Sequence, residues 1–173
     1  VYPDGVEDPM RSTKTGANYA LGAKAKNWAE RFPVQGGYVK FHDVLFTNQQ
    51  HKIQEATGAN FFAFADDKTL VTPKESSYFL PGITRDTTIL LARGLGYTVI
   101  EKEVDLAELK EMSAAFLTGT ATGIASIRLV YDTTHRARYD FNPQFAPLLK
   151  LQTEFEDMIN GLPVSEPNRD LQS

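Results

Sequence analysis

With 173 residues, 42% of them hydrophobic and 23% charged, the chain is long enough to bury one core, which excludes an intrinsically disordered protein and fits a single domain. A net charge of −4 without a Lys/Arg run argues against a binder of the nucleic-acid backbone, and the lack of cysteine excludes disulfides and thiolate metal sites, as suits a reducing, cytoplasmic setting. No apolar stretch approaches the roughly 20 residues of a membrane span, and the opening Val1-Tyr2-Pro3-Asp4-Gly5 has no signal-peptide pattern and, starting on Val, reads as a fragment or processed product.

In chain order, Lys14-Thr15-Gly16-Ala17-Asn18-Tyr19 leads into a predicted helix from Asn18 to Arg31, with Trp28 and Phe32 at helical spacing and Pro33 as its stop. Short β-rich runs follow at Val44 to Phe46, Lys52 to Glu55, Asn60 to Ala65 and Thr69 to Val71, broken by Thr47-Asn48, Gly58 and Asp66-Asp67; they read as an antiparallel meander. Leu80-Pro81-Gly82-Ile83-Thr84-Arg85-Asp86 then turns into a second helix, with Thr84 as N-cap, Asp86 in the first turn, Ile89, Leu90, Ala92 and Leu95 along it, and Gly96 at its end. Next come a strand from Tyr97 to Val104, a short helix from Leu106 to Met112, strands from Ala115 to Leu117 and Ile124 to Val130, and an amphipathic helix from Pro143 to Ile159. The stretch from Gly161 to Ser173 reads as a loose tail. Strands and helices mixed irregularly around a meander, without regular βαβ alternation, predict an α+β fold.

Four segments carry groups suited to chemistry. Lys14 has small neighbours, so its amine is uncrowded; kept neutral by partial burial it can form a Schiff base with an aldehyde, although a lysine taken alone is far more often simply solvated. Glu55 ends a strand just before the tight turn Ala56-Thr57-Gly58-Ala59-Asn60, where a carboxylate can hold a protonated ring nitrogen or simply face water. The stretch Leu80 to Asp86 places unpaired N–H groups at a helix start, a natural seat for an anion. Thr118-Gly119-Thr120-Ala121-Thr122-Gly123 offers hydroxyl and amide donors, or is a plain Gly/Thr-rich turn. His42, His51 and His135 are not at metal-ligand spacing, so no metal site is expected, and Phe61, Phe62 and Phe64 are assigned to the core. Gly94-Leu95-Gly96 lies at a helix end and is read as a cap in preference to a dinucleotide loop.

Together these segments, in this order and spacing, resemble the fold-type IV pyridoxal-phosphate enzymes over roughly Arg11 to Val130, and most closely the branched-chain amino acid aminotransferases. The resemblance implies a mixed, largely antiparallel sheet or pseudo-barrel with flanking helices. Residues 1–160 would form the family's large cofactor-binding domain and 161–173 a tail, while the smaller N-terminal domain, which supplies a phosphate-binding arginine, lies outside this chain. Pyridoxal 5′-phosphate is the implied cofactor. Lys14 of K-x-G-x-N-Y carries it as a Schiff base and acts as the catalytic base, Tyr19 lies near its phenolic oxygen, and Glu55 holds its pyridine nitrogen. Leu80 packs on the ring, the Ile83 and Thr84 amides bind phosphate, Thr120 binds phosphate, and Thr120 with Ala121 lies near the substrate carboxylate. The implied activity is amino-group transfer between an apolar, branched-chain L-amino acid and a 2-oxo acid such as 2-oxoglutarate, in a homodimer.

D-amino acid aminotransferases, (R)-amine transaminases and 4-amino-4-deoxychorismate lyases share the lysine, glutamate and turn; the Asn18-Tyr19 pair leans to the branched-chain group. A non-catalytic module that keeps the pocket is the alternative from another class. Where the family has an acid and a proline after G-T-A, this chain reads Thr122-Gly123-Ile124-Ala125-Ser126-Ile127, and the stretches Gln35 to Lys40 and Asp132 to Asp140 have no family counterpart.

Overall fold

The computed structural model describes residues 2–3, 16–34, 37–75 and 82–164. Its elements run β1 (Tyr2–Pro3), α1 (Gly16–Ala29), β2 (Phe32–Val34), β3 (Gly37–Val39), β4 (Leu45–Thr47), β5 (Lys52–Ala56), β6 (Asn60–Phe64), β7 (Thr69–Pro73) and α2 (Ile83–Gly94). They continue with β8 (Thr98–Lys102), β9 (Val104–Asp105), a 3-10 helix (Leu106–Glu111), β10 (Ala114–Gly119), β11 (Gly123–Ile127), β12 (Leu129–Asp132), β13 (Ala137–Asp140) and α3 (Ala146–Ile159).

A five-stranded sheet in the order β11-β10-β6-β7-β8 forms the middle layer. A four-stranded sheet, β1-β4-β5-β9, covers one face, α2 and α3 cover the other, and β2-β3 and β12-β13 are separate hairpins. Pairing is antiparallel except between β1 and β4 and between β7 and β8, the latter joined through α2 as one βαβ unit. The fold is therefore α+β as expected, but the described strands form separate sheets and do not close into a barrel.

The period-2 rule explains how β6 organises both layers, since successive side chains leave opposite faces of the strand. Phe61 and Ala63 join Leu45, Ile53, Val104 and Leu109 between the two sheets, while Phe62 and Phe64 meet Ile89, Ala92, Leu148 and Leu151 of the helices. Phe62 stacks on Phe116 of β10, with ring centroids 5.1 Å apart and planes 5° from parallel. A smaller cluster of Ala25, Ala29, Val44 and Phe46 seats α1 on β4.

Helix ends follow local chemistry. Gly96, at φ +87°, terminates α2: its N–H donates to Arg93 O, and the Tyr97 N–H reaches back to Ala92 O. Gly161, at φ +71°, ends α3 in the same way, with Leu162 N–H donating to Asp157 O. The 3-10 helix carries a capping box in which Asp105 accepts from Ala107 N–H and Glu108 accepts from Asp105 N–H, each at 2.9 Å.

Several expectations need correction. The N-cap of α2 is Gly82 and not Thr84, which lies inside the first turn; the cap supplies no side-chain hydrogen bond. Pro33 does more than stop a helix, because Phe32–Val34 pairs with Gly37–Val39 as a hairpin. The strand expected from Tyr97 to Val104 is two strands, with Glu103 as the corner where the chain passes from the five-stranded to the four-stranded sheet. The strand expected from Ile124 to Val130 likewise divides at Arg128. The stretch Asp132 to Asp140 is a β-hairpin turn and strand, with Asp132 accepting from Thr134 N–H at 2.9 Å and lying 2.6 Å from His135 Nδ1. The tail expectation falls, beyond residue 164, outside the described residues. Among the described residues, no helix is long and apolar enough to cross a membrane.

Candidate active site

Three chain segments that are far apart in sequence meet at one end of the central sheet. The first is the turn from β5 to β6, closed by a hydrogen bond from Ala56 N–H to Ala59 O of 2.8 Å. The second is the N-terminus of α2, and the third is the loop that leaves β10. Two glycines permit this convergence. A Cβ on Gly82 would stand 2.4 Å from Asn60 Oδ1, and one on Gly119 would stand 3.1 Å from Gly58 O. Only a residue without a side chain allows backbone to approach so closely.

Between α2, this loop and α3 lies a cleft of about 460 Å³ lined by Ile83, Thr84, Thr87, Thr120, Ala121 and Thr122 among others. Four of the sequence-derived site residues, Ile83, Thr84, Thr120 and Ala121, are thus brought together. Gly82 has no capping side chain, so the cap itself takes up none of the N–H groups that open α2. The helix dipole adds to their pull on a negative charge.

The buried polar atoms nearby point the same way. Asn60 and Thr118 face each other across the β6–β10 pairing, both buried, and Thr118 Oγ1 has no hydrogen-bond partner among the described residues. Thr88 Oγ1 donates to Thr84 O at 2.7 Å within α2. The described lining of the cleft contains no lysine or arginine and one exposed carboxylate, Glu156, so an anion held here would rely on N–H and O–H dipoles at the helix start and the Thr-rich loop. That donor set fits a phosphate monoester, the end of pyridoxal phosphate that the sequence motifs assign to this place.

Glu55 sits on β5, half-buried, and lines neither this cleft nor the larger cavity beside α1, although the next residue, Ala56, lines that cavity. Its turn is held from below by Asp43, whose Oδ1 accepts from Thr57 Oγ1 at 2.5 Å and from Val44 N–H at 2.7 Å. Helix α1 packs on the same turn through Gly22, where a Cβ would meet Thr57 O at 3.2 Å. Lys14 and Leu80 lie outside the described residues, as does the side chain of Tyr19, whose backbone belongs to the first turns of α1.

Arg85 is the residue that motif reading passed over. Its side chain is 2% exposed, and its Nη2 donates to Pro73 O at 3.0 Å and to Glu101 Oε2 at 2.9 Å. The guanidinium therefore points away from the cleft and ties the first turn of α2 to the ends of β7 and β8. The hydrogen bond from Arg85, with Arg93 adding to it, holds the Glu101 carboxyl below its usual range. A buried arginine directly after the helix start is visible in Leu80-Pro81-Gly82-Ile83-Thr84-Arg85, but its burial depends on strands that end before and begin after the helix.

A family model described as Amino-transferase class IV matches residues 4–130. Branched-chain-amino-acid aminotransferase 1, mitochondrial, of Arabidopsis thaliana is 41% identical over 101 residues, covering 57% of this chain and 26% of that protein. A probable branched-chain-amino-acid aminotransferase of Synechocystis is 30% identical over 162 residues, covering 91% of this chain and 50% of that one. The crystal structure of branched-chain amino acid aminotransferase from Thermobaculum terrenum in its PLP form matches with a TM-score of 0.74 at 32% identity, over 91% of this chain and 47% of that chain. The chain spans between about a quarter and a half of the length of these relatives. From the family model across most of its length, and from a fold shared with those structures, the chain belongs to the class IV aminotransferase family.

Proposed function

We propose that this chain is the cofactor-binding part of a pyridoxal 5′-phosphate-dependent aminotransferase that moves an amino group between an apolar, branched-chain L-amino acid and a 2-oxo acid such as 2-oxoglutarate. The observation that carries this reading is the convergence of Ile83 and Thr84 with Thr120 and Ala121 on one cleft at an uncapped helix start. The names of the relatives, all branched-chain aminotransferases, support the choice of substrate.

When bound, pyridoxal phosphate supplies the electron sink that makes the Cα–H bond of an amino acid acidic. The residues of this chain then have distinct tasks. The Ile83 and Thr84 N–H groups and the Thr120 hydroxyl hold the phosphate; Leu80 packs against the ring, and Tyr19 lies beside its phenolic oxygen. Glu55 keeps a proton on the ring nitrogen. Lys14 Nζ holds the cofactor in the resting enzyme and takes the Cα proton of the substrate as general base. Thr120 and Ala121 orient the substrate carboxylate. The family's smaller N-terminal domain, on the same or a separate chain, completes the pocket, and the working unit is a homodimer.

The test uses the purified full-length polypeptide with 2-oxoglutarate and three donors: L-leucine, D-alanine and (R)-1-phenylethylamine. Glutamate formation with L-leucine is expected. Turnover of the other two donors alone would overturn the substrate, and a visible cofactor band that no amino acid shifts would overturn catalysis itself. A Lys14→Ala protein should lose the band of the bound cofactor; its persistence would refute the lysine assignment.

A further inference from the structure

A second cavity, of about 600 Å³, lies between α1 and the two hairpins β2-β3 and β12-β13. Its size falls within the range of small-molecule sites. In its wall Phe32 and Lys40 come from the first hairpin and its exit, and Tyr131 comes from the second. Cavity and cleft share Thr122 but no residue assigned above to cofactor or substrate.

The walls are aromatic. Phe32 lies 5.8 Å from Phe41 and 5.6 Å from Tyr131, and Phe41 and Tyr131 are 6.2 Å apart with planes 19° from parallel. Such spacing leaves no room for a ring between them, so a ligand would lie against their faces and edges. Trp28, packed edge-on at 5.1 Å from Phe32, completes this wall.

The charged side chains at the cavity are mostly cationic although the chain as a whole carries −4. Lys26, Lys40 and Arg128 line it against a single carboxylate, Asp43, and that carboxylate is engaged by Val44 N–H, Thr57 and Lys26. Lys40 is only loosely paired with Glu30 at 3.9 Å between exposed side chains. Arg128, at the break between β11 and β12, makes no ion pair or side-chain hydrogen bond with a described residue. An exposed guanidinium lining the same cavity as the aromatic wall is a ready partner for a carboxylate.

We propose that this cavity is a binding site for a small organic anion with a flat apolar body, an aromatic carboxylate, whose carboxylate meets Arg128 and Lys40 and whose body packs on Phe32, Phe41 and Tyr131. The site adjoins the pyridoxal-phosphate cleft at Thr122 and uses none of the residues assigned to cofactor or substrate.

The experiment is calorimetric titration of the cofactor-loaded, full-length protein with 2-naphthoate and, separately, with neutral 2-naphthylmethanol. Naphthoate is expected to bind roughly tenfold or more tightly than the alcohol, the scale of one charged hydrogen bond. Arg128→Gln should remove that preference, and Phe41→Ala should weaken both ligands. Arg128 is exposed, so its variant should melt with the parent; Lys40→Gln provides a second reading of the charge effect. Equal affinity for the two ligands overturns the proposal. So does naphthoate binding that survives both Arg128→Gln and Phe41→Ala, which would place the ligand in the other cleft. Absence of binding, with sedimentation showing a second copy or another segment covering this face, overturns it as well.

Discussion

Gly82 and Asn60 are in contact so close that the N-terminus of α2 is fitted to the side chain of a strand residue: a methyl group on Gly82 would lie 2.4 Å from Asn60 Oδ1. Gly82 has an ordinary φ of −87°, so any loss on substitution comes from this contact and not from backbone strain. Gly82→Ala should destabilise the protein by about 1 to 3 kcal/mol, the usual cost of overpacking, and should weaken pyridoxal-phosphate binding. Melting of the variant, alone and combined with Asn60→Ala, checks the cause. In the double variant most of the loss should disappear, as expected of two residues that share one space.

Thr118 supplies the opposite kind of prediction. Its hydroxyl is buried with no partner among the described residues, so it carries a desolvation cost without a compensating bond. Thr118→Val keeps the shape and should leave the protein as stable or raise stability by up to about 1 kcal/mol. A loss of more than that in urea unfolding would mean that the hydroxyl is bonded after all.

Replacement of Arg85 tests the strap between α2 and the sheet. Arg85→Met removes a buried cation that donates to both Pro73 O and Glu101, and should cost about 2 to 3 kcal/mol at neutral pH, less than for a fully buried pair because Glu101 is partly exposed. The pH dependence has a definite sign. The Glu101 carboxyl is lowered in the folded protein, chiefly by the Arg85 hydrogen bond, so its contribution is present above the unfolded value of about 4.3 and disappears as the pH falls through the folded value. The stability gap between parent and Arg85→Met should therefore be wider at pH 7 than at pH 3, as read from urea midpoints. A gap that stays constant or widens in acid would remove Glu101 from the account.

The phosphate seat makes its own prediction. Thr120→Val takes away one hydroxyl donor without altering the helix start, and should raise the dissociation constant of pyridoxal phosphate by roughly tenfold. Equilibrium dialysis measures this independently of turnover. An unchanged affinity would leave the Ile83 and Thr84 amides as the whole of the seat.

What the sequence makes legible here is whatever short-range pattern encodes. The alternation in Asn60–Phe64 announces a strand, and Gly96 announces the end of α2 because a left-handed residue is needed there. The motif residues Ile83, Thr84, Thr120 and Ala121 are legible as a set because two spaced motifs carry them, and the structure gathers them on one cleft. Thr84 suits a cap by residue type alone, whereas the nearness of Asn60 leaves room only for glycine where the helix begins. The breaks at Glu103 and Arg128 were illegible for a different reason: both neighbours remain extended, and only the change of sheet partner separates one strand from the next. Arg85 reads as a surface residue of a helix until β7 and β8 are assembled around it.

The central strand β6 has a consequence for how the molecule comes apart. All of Asn60–Phe64 is buried, and partners flank the strand on either edge. Its amides should exchange with deuterium only when the entire domain opens, while those of the β2-β3 hairpin, exposed throughout Gly37–Val39, should exchange by local fraying. Since Asn60 begins β6 and also sets the seat of α2, the helix start that borders the proposed cofactor cleft rests on the slowest-exchanging layer, and the cleft should persist through partial melting that already releases the hairpin.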